Sequence, residues 1–514
     1  MSDVVLIYPK QSKENLTRDL RPALSLLHLA AVLKKKGYHA KIINLNINFY
    51  NWKELLDNEL KSKPMFIGIT ALTGYMITSG LEVSSYIKNK CDIPVIWGGV
   101  HSRLEPESTI QNSLIDVVVY GEGENAIGQL VKEYSSSELK LENVKGIYYK
   151  SQNKILKTEL DSVYYNLDDL PLLPFELTEL EKFSDQDYLF FGFKNRAAVS
   201  FESSRGCPFR CCYCVEAVYD EKKYRKMSAD RVIEHLEYIK KDYKISSIIF
   251  VDDNFFVDRE RAERILNKII EKKLNMELYS PIRSDTICKF DKPFVNLMEK
   301  AGFKEVAIGV ESGSDRMLKY IGKGEKISSS FDANKLLSVT GIMTQMNFIT
   351  GFPGEKIEDT SESFLAIFRF YRENKLARCC IGKLIPTPNS PVYKDCLKKG
   401  MRQPMTLEEW ADMMDYNFLR KAEWLDSDYH KWLKNNWYLQ DLTFRINWNR
   451  GENAVREKVG KLFYIKKNYF IILMLFANLI LFLRFKTKFF KLQIEPYIFR
   501  FLINFFSLLT KLKK

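Results

Sequence analysis

Short apolar runs alternate with helical apolar spacing through the first part of the chain. Residues 4–8, Val-Val-Leu-Ile-Tyr, have the continuous apolar character of a buried strand, and residues 23–36 repeat apolar positions at helical spacing. Further short strands are predicted at residues 41–44, 66–70, 94–97 and 116–120, with a helix at residues 80–88. This alternation predicts an α/β domain, in which helices wrap a parallel sheet and any ligand lies at the carboxyl ends of the strands.

Small, hydroxyl-bearing and glycine residues follow three of these predicted strands. Their sequences are Thr70-Ala71-Leu72-Thr73, Gly98-Gly99 and Gly121-Glu122. Glycine at such a position lets a bulky ligand approach the backbone. Three ends of this kind in succession predict one ligand-binding edge of the sheet.

A connector and a second alternating region come next. A hairpin-like pattern near Gly146 and a proline-punctuated stretch at residues 166–174 predict a linker over residues 141–192. Alternation resumes at residue 197, and residues 193–400 are predicted to form a partial (β/α)6 barrel. Its predicted strand ends carry Asp253, Arg283, Glu311 and Gly351.

One loop of this second region holds three cysteines in C-x3-C-x2-C spacing, Cys207, Cys211 and Cys214. Because each iron of a [4Fe-4S] cluster normally takes one thiolate, three cysteines leave one iron open to bind and reduce another molecule. A structural zinc site usually needs a second pair of ligands, which the sequence lacks. Cys212 is adjacent to Cys211 and is interpreted as a packing residue or bystander.

This loop, with Tyr213 before its last cysteine, resembles the cluster motif of the radical S-adenosylmethionine enzymes. The resemblance implies that the three cysteines hold the cluster and that the open iron binds S-adenosylmethionine, which is cleaved to a 5′-deoxyadenosyl radical. It also implies contacts to S-adenosylmethionine from a further set of residues, Tyr213, Asp253, Arg283, Glu311 and Gly351. Glu355 is left unassigned, since it falls one residue late for the family pattern.

Residues 1–140 resemble the cobalamin-binding domain that precedes the radical domain in one branch of that family. The likeness rests on Gly98-Gly99 and on Gly121-Glu122-Gly123-Glu124. It implies cobalamin contacts from Thr70, Thr73, Gly98, Gly99, Gly121 and Glu122. A D-x-H-x-x-G motif is missing, so no histidine is offered as a lower cobalt ligand, and His101 is interpreted as a polar surface or tail-contacting residue.

Composition and the C-terminal pattern extend this picture. Nine cysteines in 514 residues are typical of reduced thiols, and the first residues lack an apolar signal segment, so a cytoplasmic protein is predicted. Residues 401–455 form a predicted helical extension. Five of the seven tryptophans lie between Trp410 and Trp448, either lining an apolar pocket or packing in a helical core.

The positive charge is concentrated at the end of the chain. Residues 451–514 contain thirteen Lys and Arg against three Glu, a net +10 of the chain's +13. These charges flank apolar stretches, which predicts a tail at residues 456–514 that lies on the cytoplasmic membrane face and does not bind nucleic acid. A buried C-terminal helix pair and an oligomer interface are the alternatives.

The sequence therefore predicts a radical enzyme with a [4Fe-4S] cluster, S-adenosylmethionine and cobalamin. Methyl transfer to an unactivated carbon of an apolar or lipid-like small molecule is the expected reaction, with flavodoxin or ferredoxin as the electron donor. Ring formation or rearrangement on the same cofactors is one alternative, and a non-catalytic cobalamin or redox sensor is another. An RNA methylthiotransferase is disfavoured, because the N-terminal domain has Cys91 alone in place of a second cysteine trio.

Overall fold

The computed structural model describes residues 2–13, 21–161, 164–183, 193, 197–219, 224–413, 422–436, 482–483 and 485–487. The chain divides into two compact units. The first comprises residues 1–281, 296–305 and 385–422, and the second comprises residues 282–295, 306–384 and 423–514.

A seven-stranded sheet opens the first unit. Its strands are β1 (Val4–Tyr8), β2 (Ala40–Asn44), β3 (Phe66–Thr70), β4 (Val95–Gly98), β5 (Val117–Val119), β6 (Ile147–Ser151) and β7 (Lys154–Lys157). The strand order is β2-β1-β3-β4-β5-β6-β7, and β1 to β5 are parallel. The predicted parallel sheet is confirmed, and the predicted bounds of β1 and β3 agree with the structure residue for residue.

Six helices connect and cover the parallel strands. They are α1 (Leu24–Lys35), α2 (Trp52–Leu60), α3 (Tyr75–Lys88), α4 (Val100–Leu104), α5 (Pro106–Gln111) and α6 (Gly123–Tyr134). α1 forms because its apolar residues recur on one face, where Leu26, Leu27 and Leu33 are buried. Lys34 and Lys35 in its last turn complement the negative end of the helix dipole. α1 and α6 pack against each other.

The hairpin near Gly146 belongs to this same sheet. β6 pairs antiparallel with β5, with Val118 opposite Tyr148, and β7 pairs antiparallel with β6. Gly146 has φ 72° and its carbonyl oxygen accepts from the Tyr120 backbone N–H at 2.9 Å. The hairpin satisfies backbone groups that β5 would otherwise leave unpaired at this edge. A segment predicted within the linker therefore extends the N-terminal sheet.

A second group of parallel strands completes the first unit. β8 (Ala198–Phe201), β11 (Ser247–Phe250) and β12 (Glu277–Ile282) are parallel, while β9 (Ser204–Arg205) and β10 (Arg225–Lys226) form a short antiparallel ribbon. The helices here are α7 (Ala229–Tyr243), α8 (Arg259–Glu271), α14 (Pro391–Lys398) and α15 (Leu407–Asp412). Ser228 and Asp258 cap the N-termini of α7 and α8 through their side-chain oxygens.

The second unit has the same alternation. β13 (Phe303–Glu311), whose first three residues belong to the first unit, leads to β14 (Met343–Thr350) and β15 (Ala377–Lys383), which are parallel. The helices are α9 (Ser284–Ile287), α11 (Asp315–Ile321), α12 (Ile327–Leu337), α13 (Ile357–Glu373) and α16 (Ser427–Asn436). The helix α10 (Lys292–Ala301) begins in this unit, and its residues 296–301 belong to the first unit. In the described ranges, the end strands β8 and β15 each pair with a single neighbouring strand. The predicted partial barrel is therefore open and does not close on itself.

Most of the predicted basic tail at residues 456–514 lies outside the described residues. Within the short described part, Phe485 is buried and stacks on Phe364 of α13 with ring centroids 4.4 Å apart. At this point the tail packs on protein, as the helix-packing alternative expects. No helix within the described ranges has both the length and the apolar character needed to cross a membrane.

Candidate active site

The three cysteines lie together on the loop that follows β9. The backbone N–H of Cys214 donates to the carbonyl oxygen of Cys211 at 3.0 Å, which closes a turn between them. The Tyr213 carbonyl oxygen accepts from the Thr387 hydroxyl at 2.9 Å, and the Cys212 carbonyl oxygen accepts from the Val392 N–H at 3.1 Å. None of the nine cysteines forms a disulfide. The loop therefore holds Cys211 and Cys214 on one anchored turn, which begins four residues after Cys207.

These thiols are the type of donor that an iron–sulfur cluster takes. Zinc needs ligands that converge on one point, whereas an iron–sulfur cluster takes each thiolate on a different iron. Burial raises the pKa of the Cys214 thiol to about 12, and bonding to iron would favour its thiolate form. The donor set of Cys207, Cys211 and Cys214 fits a [4Fe-4S] cluster.

Two aspartates after β11 anchor the strand and loop that lead into the cysteines. Asp252 is fully buried and accepts hydrogen bonds from the Ser203 N–H at 3.1 Å, from the Ser203 hydroxyl at 2.7 Å and from the Ser204 hydroxyl. The Asp253 carboxylate accepts from the Gly206 N–H at 3.0 Å. Asp253, predicted to contact S-adenosylmethionine, thus lies against the residue that precedes Cys207.

A partly buried charged cluster connects this loop to the N-terminal sheet. Arg205 lies 2.5 Å from Glu124, 2.6 Å from Glu202 and 3.5 Å from Glu122. Glu122 also pairs with Arg225. Although burial alone would raise the pKa of Glu124, the charge and hydrogen bond of Arg205 hold it at about 2. Arg205 and Glu202 are site residues that the sequence analysis missed, because their partners Glu122 and Glu124 lie about 80 positions earlier in the chain.

A cavity of about 470 Å³ adjoins this charged cluster, entirely within the first unit. Its apolar part lies between the sheet and the helices α1 and α6, and is lined by Leu6, Phe66, Ile96, Ile127 and Leu130. Its polar part is lined by His28, Glu122, Glu124, Glu202 and Arg205. Gly206, Glu216, Tyr219 and Asp253, around the cysteine loop, complete the wall. Ligand sites typically have volumes of about 300–1,000 Å³, so this cavity can hold a cofactor or part of one.

The glycines that end the strands form the cavity's backbone wall. Gly99 has φ 92°, and a Cβ atom there would lie 2.5 Å from Thr70 Oγ1 and 2.9 Å from the Ala71 carbonyl oxygen. Only glycine fits such a position without displacing its neighbours. Five of the six residues predicted to contact cobalamin line this one cavity: Thr70, Gly98, Gly99, Gly121 and Glu122.

Thr73, the sixth, contacts a buried histidine instead. Its hydroxyl lies 3.0 Å from His101 Nδ1 in a hydrogen bond. His101 is fully buried and its ring packs edge-on against Trp410, with centroids 5.8 Å apart. His101 was interpreted as a polar surface residue or a tail-contacting residue. The surface interpretation is wrong, because α15, from a distant part of the sequence, covers the loop. Burial lowers the pKa of His101 to about 3, so the ring is neutral.

Three further cavity residues, Arg103, Glu216 and Tyr219, were missed by the sequence analysis. The Arg103 guanidinium stacks over the Tyr219 ring at 3.7 Å, a cation–π contact between α4 and the segment after the cysteines. Burial, with the nearby charge of Asp253, raises the pKa of Glu216 to about 7. None of these residues belongs to a recognisable motif.

The second unit joins two other predicted residues through a lysine. The buried Lys323 ammonium lies 3.0 Å from Glu311 and 3.7 Å from Glu325. The Lys323 carbonyl oxygen accepts from Arg283 Nη2 at 2.7 Å, and Arg283 also pairs with Asp285 at 2.9 Å. Glu311 has φ 65°, a left-handed conformation that costs a non-glycine residue energy and occurs most often at functional sites. Lys323 carried no signal in the sequence pattern.

Gly351 and Glu355 form a tight turn after β14. The buried Glu355 carboxylate accepts from the Gly351 N–H at 2.6 Å and from the Phe352 N–H at 3.0 Å. The Trp424 indole N–H donates to the Gly351 carbonyl oxygen at 2.8 Å, and the Tyr429 hydroxyl lies 2.8 Å from that of Thr360. Glu355, unassigned from the sequence, holds the turn together. Trp424, like Trp410, packs in a core, which favours the packing alternative for these tryptophans.

Comparison with known proteins agrees with this geometry. Residues 201–367 match the Radical SAM superfamily and residues 20–131 match the B12 binding domain. An uncharacterized methyltransferase of Pyrococcus horikoshii is 31% identical over 392 residues, which cover 76% of this chain and 82% of that protein. This chain belongs to the radical SAM family with a B12-binding domain. The family predicted from the sequence is therefore confirmed.

Two other proteins show how widely this architecture is shared. The anaerobic magnesium-protoporphyrin IX monomethyl ester cyclase of Rubrivivax gelatinosus is 24% identical to this chain. The matched residues cover 82% of this chain and 75% of the cyclase. The structure of the cobalamin-dependent S-adenosylmethionine radical enzyme OxsB, with aqua-cobalamin and S-adenosylmethionine bound, superposes with a TM-score of 0.69 at 19% identity. That superposition covers 93% of this chain and 72% of OxsB, and it shows a common fold.

Proposed function

We propose that this radical SAM protein is a cobalamin-dependent enzyme that transfers a methyl group to an unactivated carbon of a small apolar or lipid-like molecule. The observation that carries the proposal is the 470 Å³ cavity of the first unit. Strand ends of the B12-binding region, such as Gly98 and Gly99, share its wall with Gly206 of the cysteine loop and with Asp253, which accepts a hydrogen bond from the Gly206 N–H. The 31% identical methyltransferase and the cobalamin bound to OxsB support the same assignment.

The residues of the cavity suit cobalamin. When bound, cobalamin supplies the methyl group, and the cluster with S-adenosylmethionine supplies the radical that activates the carbon. Gly99 lets the backbone approach the cofactor, since any larger residue would collide with Thr70. The apolar residues between the sheet and α1 exclude water from the buried part of the cavity, which favours binding of an aromatic group there.

The cysteine loop is the proposed cluster site. Cys207, Cys211 and Cys214 would each bind one iron, and Asp253 holds the loop's first turn through the Gly206 N–H. The contacts of Tyr213, Arg283, Glu311 and Gly351 with S-adenosylmethionine stay predictions from the family resemblance. In the second unit, the carboxylate of Glu311 and the cations of Arg283 and Lys323 have the charges that an amino acid's ammonium and carboxylate groups would need.

Ring formation without methyl transfer is the second candidate. The 24% identical cyclase favours it, because that relative covers as much of the chain as the methyltransferase does. Both reactions would use the same cavity and cysteine loop. The products distinguish them, since a methyl transferase that takes its methyl group from S-adenosylmethionine leaves S-adenosylhomocysteine.

The first test is anaerobic reconstitution of the full chain with iron, sulfide and hydroxocobalamin. After reduction and addition of S-adenosylmethionine, bound cobalt, 5′-deoxyadenosine and S-adenosylhomocysteine are quantified. Bound cobalt with both products supports the methyltransferase. Deoxyadenosine with bound cobalt but without S-adenosylhomocysteine supports ring formation or rearrangement. Neither product from a cluster-loaded protein would contradict both enzymatic proposals and favour the sensor.

Two predicted partners remain, an electron-donor protein and a membrane surface. A flavodoxin or ferredoxin as electron donor stays a prediction. Peripheral binding to the cytoplasmic membrane face also stays a prediction, and nothing in the described residues or the relatives supports it. The described contact of Phe485 with Phe364 favours packing on protein at that point.

A further inference from the structure

A buried histidine without hydrogen-bond partners lines the cavity of the first unit. His28 lies on α1 and is 3% exposed, and among the described residues neither of its ring nitrogens has a hydrogen-bond partner. The Glu202 carboxylate is 4.0 Å from His28 Nε2, beyond hydrogen-bond distance. A buried polar group in this state costs stability, and such exceptions in a folded protein call for a ligand or an ordered water.

The ionisation state of this histidine limits what it can bind. Burial, reinforced by the charge of Arg205, lowers the pKa of His28. The ring is therefore neutral near pH 7, with one nitrogen as donor and the other as acceptor. A neutral ring of this kind suits hydroxyl, amide or heterocyclic groups, which also donate and accept hydrogen bonds.

The position of His28 within the cavity indicates which part of cobalamin it would meet. His28 lies on α1, where it lines the cavity together with the apolar residues Leu29 of α1 and Ile127 of α6, and its Nε2 is 4.0 Å from Glu202 at the border with the polar part. Cobalamin has a broad macrocycle and a narrow nucleotide tail made of a phosphate, a ribose and an aromatic base. A space between a sheet and two helices accepts the narrow aromatic end, because an aromatic base buries well among apolar side chains.

We propose that His28 hydrogen-bonds the ribose and base portion of the nucleotide tail of cobalamin and thereby selects corrinoids that carry this tail. The proposal rests on the proposed function, since it requires cobalamin in the cavity. His28 acts as a positioning residue: its hydrogen bonds hold the cofactor's tail and leave the face of the macrocycle to other groups. A tail-free corrinoid would gain nothing from it.

The chain offers a matched control in His235. This residue is also fully buried with both ring nitrogens unpartnered, and it packs against Phe201 with centroids 5.3 Å apart. It does not line the cavity. Replacing His235 by leucine therefore reports the general cost of removing a buried imidazole from this unit.

The experiment compares cobalamin with cobinamide, which lacks the nucleotide tail. Equilibrium dialysis measures protein-bound cobalt for the full chain and for the His28→Leu, His28→Asn and His235→Leu variants, with circular dichroism as the check on folding. Loss of one hydrogen bond corresponds to about tenfold in affinity. We expect His28→Leu to weaken cobalamin binding about tenfold and to leave cobinamide binding unchanged. His28→Asn should recover part of the loss, and His235→Leu should leave the ratio of the two affinities as in the natural chain.

The outcomes separate this inference from the function on which it rests. Unchanged cobalamin binding in His28→Leu, or equal weakening for both corrinoids, would overturn the role of His28 while leaving the cobalamin enzyme intact. A natural chain that binds neither corrinoid would overturn the proposed function itself.

A second measurement needs no variant. The chain has five histidines, so the ring nitrogen signals of protein labelled with ¹⁵N-histidine can be compared in the two complexes. Cobalamin should shift one pair of signals that cobinamide leaves in place. Identical spectra for the two complexes would contradict the proposal even if the His28 variants fail to fold.

Discussion

Arg205 and Glu124 form a largely buried ion pair in which Arg205 Nη2 lies 2.5 Å from Glu124 Oε1, with the two side chains 17% and 6% exposed. Glu124 belongs to the first turn of α6, and Arg205 is two residues before Cys207. The pair therefore ties the strand that leads into the cysteine loop to a helix of the B12-binding region. Glu122 and Glu202 share the same guanidinium, so the cation is surrounded by carboxylates.

The strength of this pair can be measured by removing one carboxylate. We expect Glu124→Gln to lower the free energy of unfolding by about 2 kcal/mol, less than the 3–5 kcal/mol of a buried pair broken outright, because Arg205 keeps two other partners. Glu176→Gln is the control, since the Glu176–Lys34 pair is exposed and should contribute less than about 1 kcal/mol. Urea denaturation of both variants checks this. Equal losses of unfolding free energy in the two variants would show that the Arg205–Glu124 pair contributes no more to stability than the exposed pair.

The same pair predicts a dependence of stability on pH. The pKa of Glu124 falls from 4.5 to about 2 on folding, so its stabilising contribution is complete above pH 4.5 and is lost as the pH falls towards 2. The difference in unfolding free energy between the natural chain and Glu124→Gln should therefore be constant from pH 7 to pH 5 and shrink below pH 4.5. A difference that grows on acidification would contradict the assignment.

Two neighbouring cysteines should differ sharply in their effect on iron binding. Cys207→Ala removes one proposed cluster ligand, and we expect loss of most bound iron and sulfide and no detectable formation of 5′-deoxyadenosine. Cys212→Ala, in the same loop but outside the ligand spacing, should keep both. Iron analysis and the visible absorbance of reconstituted protein measure the first effect. Loss of the cluster in Cys212→Ala would show that the ligand assignment is wrong.

Comparing alanine at Gly99 with alanine at Gly37 separates the effect of backbone strain from the effect of a steric collision. Alanine at Gly99 would place its Cβ 2.5 Å from Thr70 Oγ1, whereas alanine at Gly37, which has a similar φ of 85°, would meet no atom within 4 Å. Both changes cost about 1–3 kcal/mol through the positive φ of the backbone. We expect Gly99→Ala alone to weaken cobalamin binding as well, by at least about tenfold. Thermal unfolding and bound cobalt are the readouts, and equal cobalt binding in the two variants would exclude Gly99 from the cofactor site.

Much of the fold could be predicted because its information is local. The apolar run of β1 and the helical spacing of α1 each occupy a dozen residues or fewer, and both predictions agree with the structure to within one residue at each end. Predictions that required knowledge of distant neighbours were less secure. His101 was interpreted as a surface residue, but α15, about 300 residues later in the chain, buries it.

The residues of the candidate site also differ in whether local sequence was enough to predict them. The cysteine spacing and the glycine-ended strands were determined by the sequence itself, because a ligand set on one loop and a backbone that must stay bare are properties of consecutive residues. Only the tertiary structure decided that Arg205 meets Glu124 across 81 positions, that Lys323 joins Arg283 to Glu311, and that His28 lines a cavity with its nitrogens unpaired. Burial and charge pairing depend on which segments pack together, and that packing is set by the whole chain and not by any stretch of it.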